Sequence, residues 1–308
     1  MNFEGFLKEL EPTVGSLMTK HLGMSKEWFP HELVPWSRGR DFVAGEEWDS
    51  SSSTISPGTR SALFVNLLTE DNLPYYFNAL LAAFGSDDSW GAWARRWTAE
   101  EHRHSIVIRD YLTVTRLIDP ITLERSRMNQ VSNGIVPEPV SPVDTIAYVT
   151  LQELATRVAH RNTGKLIGDE VGFAIMARVA SDENLHHLFY RDLTLAALER
   201  NPSETLEAIE RQVRSFSMPG TGIDGFTEHS KNIAKEGIYD FSLHYDQIIV
   251  PVVLRNWRIC ELSGLTPEAD AARERLMKFI ARLEVAARRT RARRDDIEGA
   301  AQSNMDRS

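Results

Sequence analysis

Two short stretches of the chain share the pattern acid-acid-x-x-His, and their positions limit the folds that the chain can adopt. Residues 100–104 read EEHRH, and residues 182–186 read DENLH. Both lie in segments whose apolar residues recur at helical spacing, and side chains three or four positions apart share one helix face. Each Glu-x-x-His can therefore bring a carboxylate and an imidazole to one point. A single copy is weak evidence for a site, because Glu and His often share a solvated helix face.

Two more acids, Glu70 and Glu153, stand inside largely apolar stripes of other predicted helices. An acid there is costly to bury unless it is paired or bound to a cation. Glu70 precedes Glu101 by 31 residues, and Glu153 precedes Glu183 by 30. Each interval is roughly one long helix, a turn and half of the next helix, at about 1.5 Å rise per residue. The chain thus carries two helical hairpins of the form Glu, then Glu-x-x-His, which is the ligand signature of di-iron and di-manganese carboxylate bundles.

This pattern predicts a buried site for two metal ions. Carboxylates are hard oxygen donors that can bridge two ions, and imidazole suits iron at the remaining positions. Four carboxylates balance two divalent ions, whereas without metal they repel one another and some of them should be protonated. The first acid of each motif, Glu100 or Asp182, is expected to hold the second ring nitrogen of the histidine four residues later. The predicted metal ligands are Glu70, Glu101, His104, Glu153, Glu183 and His186.

Helical spacing of apolar residues continues along nearly the whole chain, and no segment reads as a strand. The predicted fold class is therefore all-α. A first amphipathic helix carries apolar residues and His21 on one face. We predict a single domain over residues 1–296 and a disordered tail over 297–308, which lacks an apolar face. The remaining predicted helices span about 59–84, 89–117, 121–132, 142–165, 169–200, 203–216, 226–236, 244–263 and 266–296.

The composition argues against several classes of protein. Lys and Arg number 35 against 44 Asp and Glu, a net charge of -9, so a nucleic-acid-binding surface is not expected. The single cysteine, Cys260, rules out an internal disulfide framework and fits a reducing compartment. Acids at positions 4, 9 and 11 argue against a secretory or organelle-targeting segment. The longest apolar run, residues 248–254, is too short to span a bilayer. We therefore expect a cytoplasmic protein.

With these motifs the chain resembles the soluble acyl-carrier-protein desaturases, especially their actinobacterial branch, over about residues 5–265. The stretches that carry the resemblance are TEDNLP, WTAEEHRH, LQELATRVAHRNTGK, SDENLHHLFYRDL and VVLRNWRI. The resemblance implies a ferritin-like four-helix di-iron bundle with additional surrounding helices, assembled as a homodimer. It also implies that the six predicted ligands hold two iron ions, with Glu101 and Glu183 bridging them.

The resemblance implies roles for other residues as well. Thr156, one turn after a predicted ligand, matches a threonine beside the oxygen-binding face. Trp28, His104 and Asp182 match a route for electrons into the site. His102 stands where the plant members of the family usually have asparagine, a departure that removes no ligand.

The reaction that the resemblance implies is the O2-dependent insertion of a cis double bond into a saturated fatty acyl chain on an acyl carrier protein, in fatty acid biosynthesis. Electrons would come from a ferredoxin or a similar carrier. Acyl carrier proteins are strongly acidic, so docking needs a basic patch. The run RRTRARR at 288–294 is either such a patch or a solvated helix end.

Two alternative functions share the ligand pattern. One is a di-iron oxygenase or hydroxylase that acts on another substrate, and the ligands do not separate it from a desaturase. The other is a ferritin-like iron-handling protein without an organic substrate. Several predicted helices follow the fourth long one, and these additions argue against the iron-handling alternative.

Overall fold

The computed structural model describes residues 2–136 and 140–305, with the side chains at 52 and 296–305 left aside. Within these ranges the secondary structure is helical and contains no strand, so the predicted all-α class is confirmed. None of the described helices is long and apolar enough to cross a lipid bilayer. The α-helices are α1 (Phe3–Met24), α2 (Pro30–Leu33), α3 (Pro57–Glu70), α4 (Leu73–Phe84), α5 (Asp88–Thr115), α6 (Pro120–Asn133), α7 (Pro142–Leu166), α8 (Glu170–Arg200), α9 (Pro202–Ser215), α10 (Phe226–Lys235), α11 (Phe241–His244) and α12 (Pro267–Met305).

Four of these helices form the centre of the protein. They contact one another in a closed ring, in which α3 packs on α5, α5 on α8, α8 on α7 and α7 on α3. Helices α1 and α2 cover α5 and α8, while α10 covers α3. Helices α9 and α12 pack on each other, and α9 also packs on α7 and α8. The arrangement is the predicted four-helix bundle with additional surrounding helices.

Two helices of the bundle begin where a serine can hold free backbone N–H groups. The Ser56 hydroxyl accepts from Thr59 N–H at 3.1 Å at the start of α3. The Ser141 hydroxyl accepts from Asp144 N–H at 3.2 Å at the start of α7. A proline follows each serine as the first helical residue, where its fixed φ suits a helix start. These local signals set the height at which each helix places its predicted ligand.

The predicted helix 59–84 is two helices in the structure. Helix α3 ends at Glu70, and α4 begins at Leu73. Pro74 has no N–H to donate to the Glu70 carbonyl, so the α-helical hydrogen-bond pattern cannot continue through this point. The break leaves a predicted metal ligand as the last residue of α3.

The predicted helix over 244–263 is helical only as far as Asn256, and most of it is a π-helix. This stretch begins with the last residue of α11, continues as the π-helix Tyr245–Asn256 and ends in the 3-10 turn Ile259–Glu261. Pro251 lies inside the π-helix and cannot donate to the helical ladder. Most π-helical segments are single-turn bulges inside α-helices, so a π-helix of 12 residues is unusual.

The predicted end of the last helix at 296 also differs from the structure. The backbone of α12 is helical through Met305, and the disordered tail over 297–308 stays a prediction. No proline follows Pro267 in α12, so no residue there lacks the backbone N–H that a continuing helix needs. Residues 306–308 lie outside the described residues, and the single domain stays a prediction.

The predicted site lies at mid-height in the bundle, between two apolar clusters. Along α5, cluster residues within 90–97 precede the EEHRH stretch and others within 107–112 follow it. Along α8 the order of the two clusters is reversed, so α5 and α8 are antiparallel. Apolar packing above and below excludes water from the level at which the two motifs face each other.

Candidate metal centre

The structure brings all six predicted ligands together. Their atoms form two groups, each with its four ligand atoms within 4.8 Å of one another. Glu101 and Glu183 belong to both groups, which is the arrangement that bridging carboxylates need. All six residues are buried, with at most 6% of their surface exposed. One group is Glu70, Glu101, His104 and Glu183, and the other is Glu101, Glu153, Glu183 and His186.

Both histidines of the cluster turn Nδ1 toward the carboxylates. Nδ1 of His104 lies 3.4 Å from Glu183 Oε1, 3.5 Å from Glu101 Oε2 and 3.7 Å from Glu70 Oε2. Nδ1 of His186 lies 2.7 Å from Glu101 Oε1 and 3.6 Å from an oxygen of the remaining glutamate. The two imidazoles therefore face one common space from α5 and α8.

Several atoms around this space are buried without a hydrogen-bond partner among the described residues. They include Nδ1 of His104 and His186, Oε1 of Glu101 and Oε2 of Glu153. The short approach of His186 to Glu101 does not have hydrogen-bond geometry, so it satisfies neither atom. A buried polar atom left unpaired costs about 1–3 kcal/mol. Nitrogen and oxygen lone pairs that converge on one space are the donors a divalent ion takes, so these residues fit a metal pair.

The electrostatics of the metal-free cluster agree with the expected partial protonation. Burial, together with the charges of Glu183 and Glu101, raises the pKa of Glu153 well above its usual range. Burial also raises the pKa of Glu70. Burial opposes ionisation of Glu101 as well, but the two imidazoles outweigh it, so the pKa of Glu101 is lowered. The cluster thus holds protons when it holds no metal, and metal binding must release them.

The first acid of each motif, Glu100 or Asp182, lies near the histidine of the other motif and not near the one predicted for it. Glu100 Oε2 lies 2.9 Å from Nε2 of His186, and Asp182 Oδ2 lies 3.5 Å from Nε2 of His104. Each acid thus meets the histidine of the other motif, and the prediction of pairing within one motif is wrong. The reason is geometric: Nδ1 of each ring faces the cluster, so Nε2 points across the bundle toward the neighbouring helix.

The three residues of the expected electron route are in contact. The Trp28 indole N–H donates to Asp182 Oδ2 at 2.8 Å. The rings of Trp28 and His104 lie nearly parallel, at 11° with 6.4 Å between centroids. Arg103 donates to the same Asp182 oxygen at 3.2 Å, and Arg178 pairs with the other oxygen. Trp28 lies before α2, far from the motifs in sequence, and the fold brings it to them.

Thr156 lies against the cluster, as the resemblance implies. Its hydroxyl is 2.7 Å from Glu183 Oε2, and its backbone is one helical turn after Glu153 on α7. The same hydroxyl is 3.1 Å from the Glu153 carbonyl oxygen. Since a hydroxyl has one hydrogen, it can donate to only one of these acceptors at a time.

Three further side chains contact the cluster or its neighbouring acid; His160 and Trp97 were possible site neighbours from their helical spacing, whereas His21 was not predicted from the sequence. Nε2 of His160 lies 2.9 Å from Glu70 Oε1, and the Trp97 indole N–H donates to Glu153 Oε1 at 2.9 Å. Nε2 of His21 lies 2.8 Å from an oxygen of Glu100. The available signal for His21 was its place on the apolar stripe of the first helix, where a polar ring needs a buried partner.

The remaining histidines of the two motif stretches, His102 and His187, do not belong to the cluster. His102 is exposed, and His187 is buried with Nδ1 2.9 Å from the Thr150 carbonyl oxygen. Burial lowers the pKa of His187 to about 4, so this imidazole is neutral near pH 7.

Within the basic run 288–294, three arginines form ion pairs with acids of this chain. Those pairs favour an anchored helix face over a free docking patch.

An antiparallel helix bundle with two carboxylate–imidazole groups at its centre defines the class of ferritin-like carboxylate proteins. The model of the fatty acid desaturase family matches residues 4–306. The chain belongs to this family, whose members are oxidoreductase enzymes.

Curated relatives and a solved structure agree with the assignment. The DesA1 protein of Mycobacterium tuberculosis, provisionally named an acyl-carrier-protein desaturase, is 40% identical over 98% of this chain and 90% of its own length. The chloroplastic stearoyl-carrier-protein 9-desaturase 6 of Arabidopsis thaliana is 29% identical over 87% of this chain and 71% of its own length. The crystal structure of M. tuberculosis DesA2, also provisionally named as such a desaturase, matches with a TM-score of 0.69 and 28% identity. That match covers 87% of this chain and 99% of the DesA2 chain.

Proposed function

We propose that this protein is a di-iron acyl-carrier-protein desaturase, which uses O2 to insert a cis double bond into a saturated fatty acyl chain. The observation that carries the proposal is the pair of buried ligand groups that share Glu101 and Glu183. The name of the 40% identical DesA1 relative supports the acyl-carrier-protein substrate. The proposed partners are an acyl carrier protein, a ferredoxin-type electron donor and a second copy of this chain, in the cytoplasm.

The reaction sets what the protein must supply. Removing one hydrogen from each of two adjacent methylenes, while O2 becomes two waters, consumes two electrons and two protons from outside. The iron pair, when bound, supplies the reduction of O2 and the oxidising power for removal of the two hydrogens. The six ligands would hold the two ions, and the apolar clusters on either side would keep bulk water away from the reacting chain.

Individual residues then have defined tasks. The Thr156 hydroxyl, 2.7 Å from Glu183, can hold a proton beside the predicted bridging carboxylate. The Trp28–Asp182–His104 contact offers a continuous path for electrons from the α2 side of the bundle. Glu100 would orient the His186 imidazole from outside through the 2.9 Å contact with Nε2, and Asp182 lies 3.5 Å from Nε2 of His104.

The test is a product analysis. The purified protein is loaded with ferrous iron and supplied with O2, a ferredoxin reducing system and stearoyl- or palmitoyl-carrier protein, and the acyl product is examined by mass spectrometry. A loss of two hydrogens in the parent, absent in a Glu101→Ala, Glu183→Ala variant, is the expected result. A gain of one oxygen atom in the acyl chain would show that the protein is a hydroxylase and not a desaturase. An unchanged chain on every carrier-bound acyl length tested would refute the substrate class.

A further inference from the structure

His21 reaches the metal centre from α1, outside the four helices that carry the proposed ligands. Its ring is 1% exposed, and its Nε2 lies 2.8 Å from Glu100 Oε2. The same carboxylate oxygen lies 2.9 Å from Nε2 of His186. One oxygen of Glu100 therefore joins an imidazole of α1 to an imidazole of the proposed ligand set.

The hydrogen positions on both rings follow from the nature of this acceptor. The other oxygen of Glu100 takes the Arg96 guanidinium, with 2.7 Å between Nε and Oε1. A carboxylate paired with arginine can only accept hydrogen bonds, so both Nε2 atoms carry hydrogen. When the His186 ring is neutral, its lone pair is therefore on Nδ1 and faces the metal space, which is the tautomer that a metal ligand needs.

Aromatic packing holds the His21 ring in this position. Its plane lies at 19° to the ring of His186, with 5.7 Å between centroids. Trp93 meets His21 at 81°, edge to face, with 5.0 Å between centroids. The ring is therefore fixed by its neighbours as well as by its hydrogen bond, and it can in turn fix the Glu100 carboxylate.

The other half of the centre has different support. In that half, Asp182 Oδ2 lies 3.5 Å from Nε2 of His104. The donors to Asp182 are the Trp28 indole and two arginines, and no second imidazole is among them. A change at His21 should therefore act on the half of the centre that contains His186 and spare the half that contains His104.

We propose that His21 is a positioning residue for one half of the metal centre. By holding Glu100 against His186, it raises the affinity of that half for its ion, and it makes α1 part of the metal site. The inference rests on the proposed metal centre, and metal binding can be measured without turnover.

The test is an anaerobic titration of the metal-free protein with Fe²⁺, followed by equilibrium dialysis. The parent should bind two ions. His21→Leu keeps the bulk of the side chain but removes the donor. In this variant one ion should bind about tenfold more weakly, which is the lower end of the effect seen when a partner of a metal ligand is lost. The affinity for the other ion should not change. His21→Gln can still donate to Glu100 and should restore most of the lost affinity. In a His104→Ala background, adding His21→Leu should weaken the one remaining ion.

A matched variant separates positioning from packing. Leu17 lies one turn earlier on α1, packs against the core and has no polar atom that could hold Glu100. Leu17→Ala should lower the thermal midpoint without changing either metal affinity. Equal affinities in parent and His21→Leu, or equal weakening of both ions in His21→Leu and Leu17→Ala, would overturn the assignment. A parent protein that binds no pair of ions would refute the proposed metal centre itself, and the inference with it.

Discussion

Replacing Glu153 by glutamine should stabilise the metal-free protein while it weakens metal binding. The Glu153 side chain is fully buried, and the charges of Glu101 and Glu183 lie close to it. Burial and these charges raise its pKa well above the ordinary value of 4.5. Glutamine has nearly the same shape, and its carbonyl oxygen can still accept the Trp97 indole N–H, which is 2.9 Å from Glu153 Oε1. The substitution therefore removes a titrating group without opening a cavity.

The size of the effect follows from the cost of keeping this carboxyl protonated. Holding a proton at pH 7 on a group whose unfolded-state pKa is near 4.5 costs up to about 3 kcal/mol, at about 1.4 kcal/mol per pH unit. Because the folded-state pKa is raised, the folded protein binds more protons than the unfolded chain above pH 4.5, so the stability of the parent falls as pH rises through that window. The gain in Glu153→Gln should be near zero at pH 4.5 and grow toward pH 7.

The assay is urea unfolding of both metal-free proteins at several pH values. Glu210→Gln is the matched control, because ion pairs with Arg275 and Arg214 lower the pKa of Glu210, although burial opposes this. Its loss should be destabilising near neutral pH, and that effect should fade on acidification. With Fe²⁺ added, the parent should become more stable than Glu153→Gln, since the parent gains binding free energy that the variant lacks.

A Glu153→Gln protein that is less stable than the parent without metal at pH 7 would refute the reasoning. So would a stability difference that does not change with pH, because the argument depends on a proton held by the buried carboxyl.

Three further outcomes are expected. Fe²⁺ affinity should rise between pH 6 and 8. The carboxylate neighbours raise the pKa values of the two cluster histidines despite burial, and metal binding must displace those protons. A metal affinity that does not change with pH would contradict this. Trp28→Phe removes the 2.8 Å hydrogen bond to Asp182 and should slow reduction of bound iron by the electron carrier about tenfold at unchanged iron content, measured by stopped-flow absorbance. Thr156→Val removes the hydroxyl 2.7 Å from Glu183 and should lower kcat, whereas Thr156→Ser should keep it, and equal kcat values in both variants would exclude a role for the hydroxyl.

The sequence predicted which six side chains cluster, because helical spacing is a local property. Glu101 and His104 are three residues apart, so any α-helix places them on one face, whatever surrounds it. The intervals from Glu70 to Glu101 and from Glu153 to Glu183 each fit one helical hairpin, so the meeting of four helices at one height was also readable. The sequence predicted one helix over 59–84, and only the structure showed that the helix ends at Glu70 and a second one begins at Leu73, beside Pro74.

Contacts between helices were not readable in the same way. Glu100 is four residues from His104, yet the bundle gives it to His186, 86 residues away. His21 and Glu100 are 79 residues apart, and only the packing of α1 on α5 and α8 brings them together. Local spacing decides which side chains share a helix face, and so the sequence by itself determined the all-α class and the six side chains that cluster. The direction in which each ring nitrogen points, and the acid that receives it, depends on how neighbouring helices cross, and only the tertiary structure decided that.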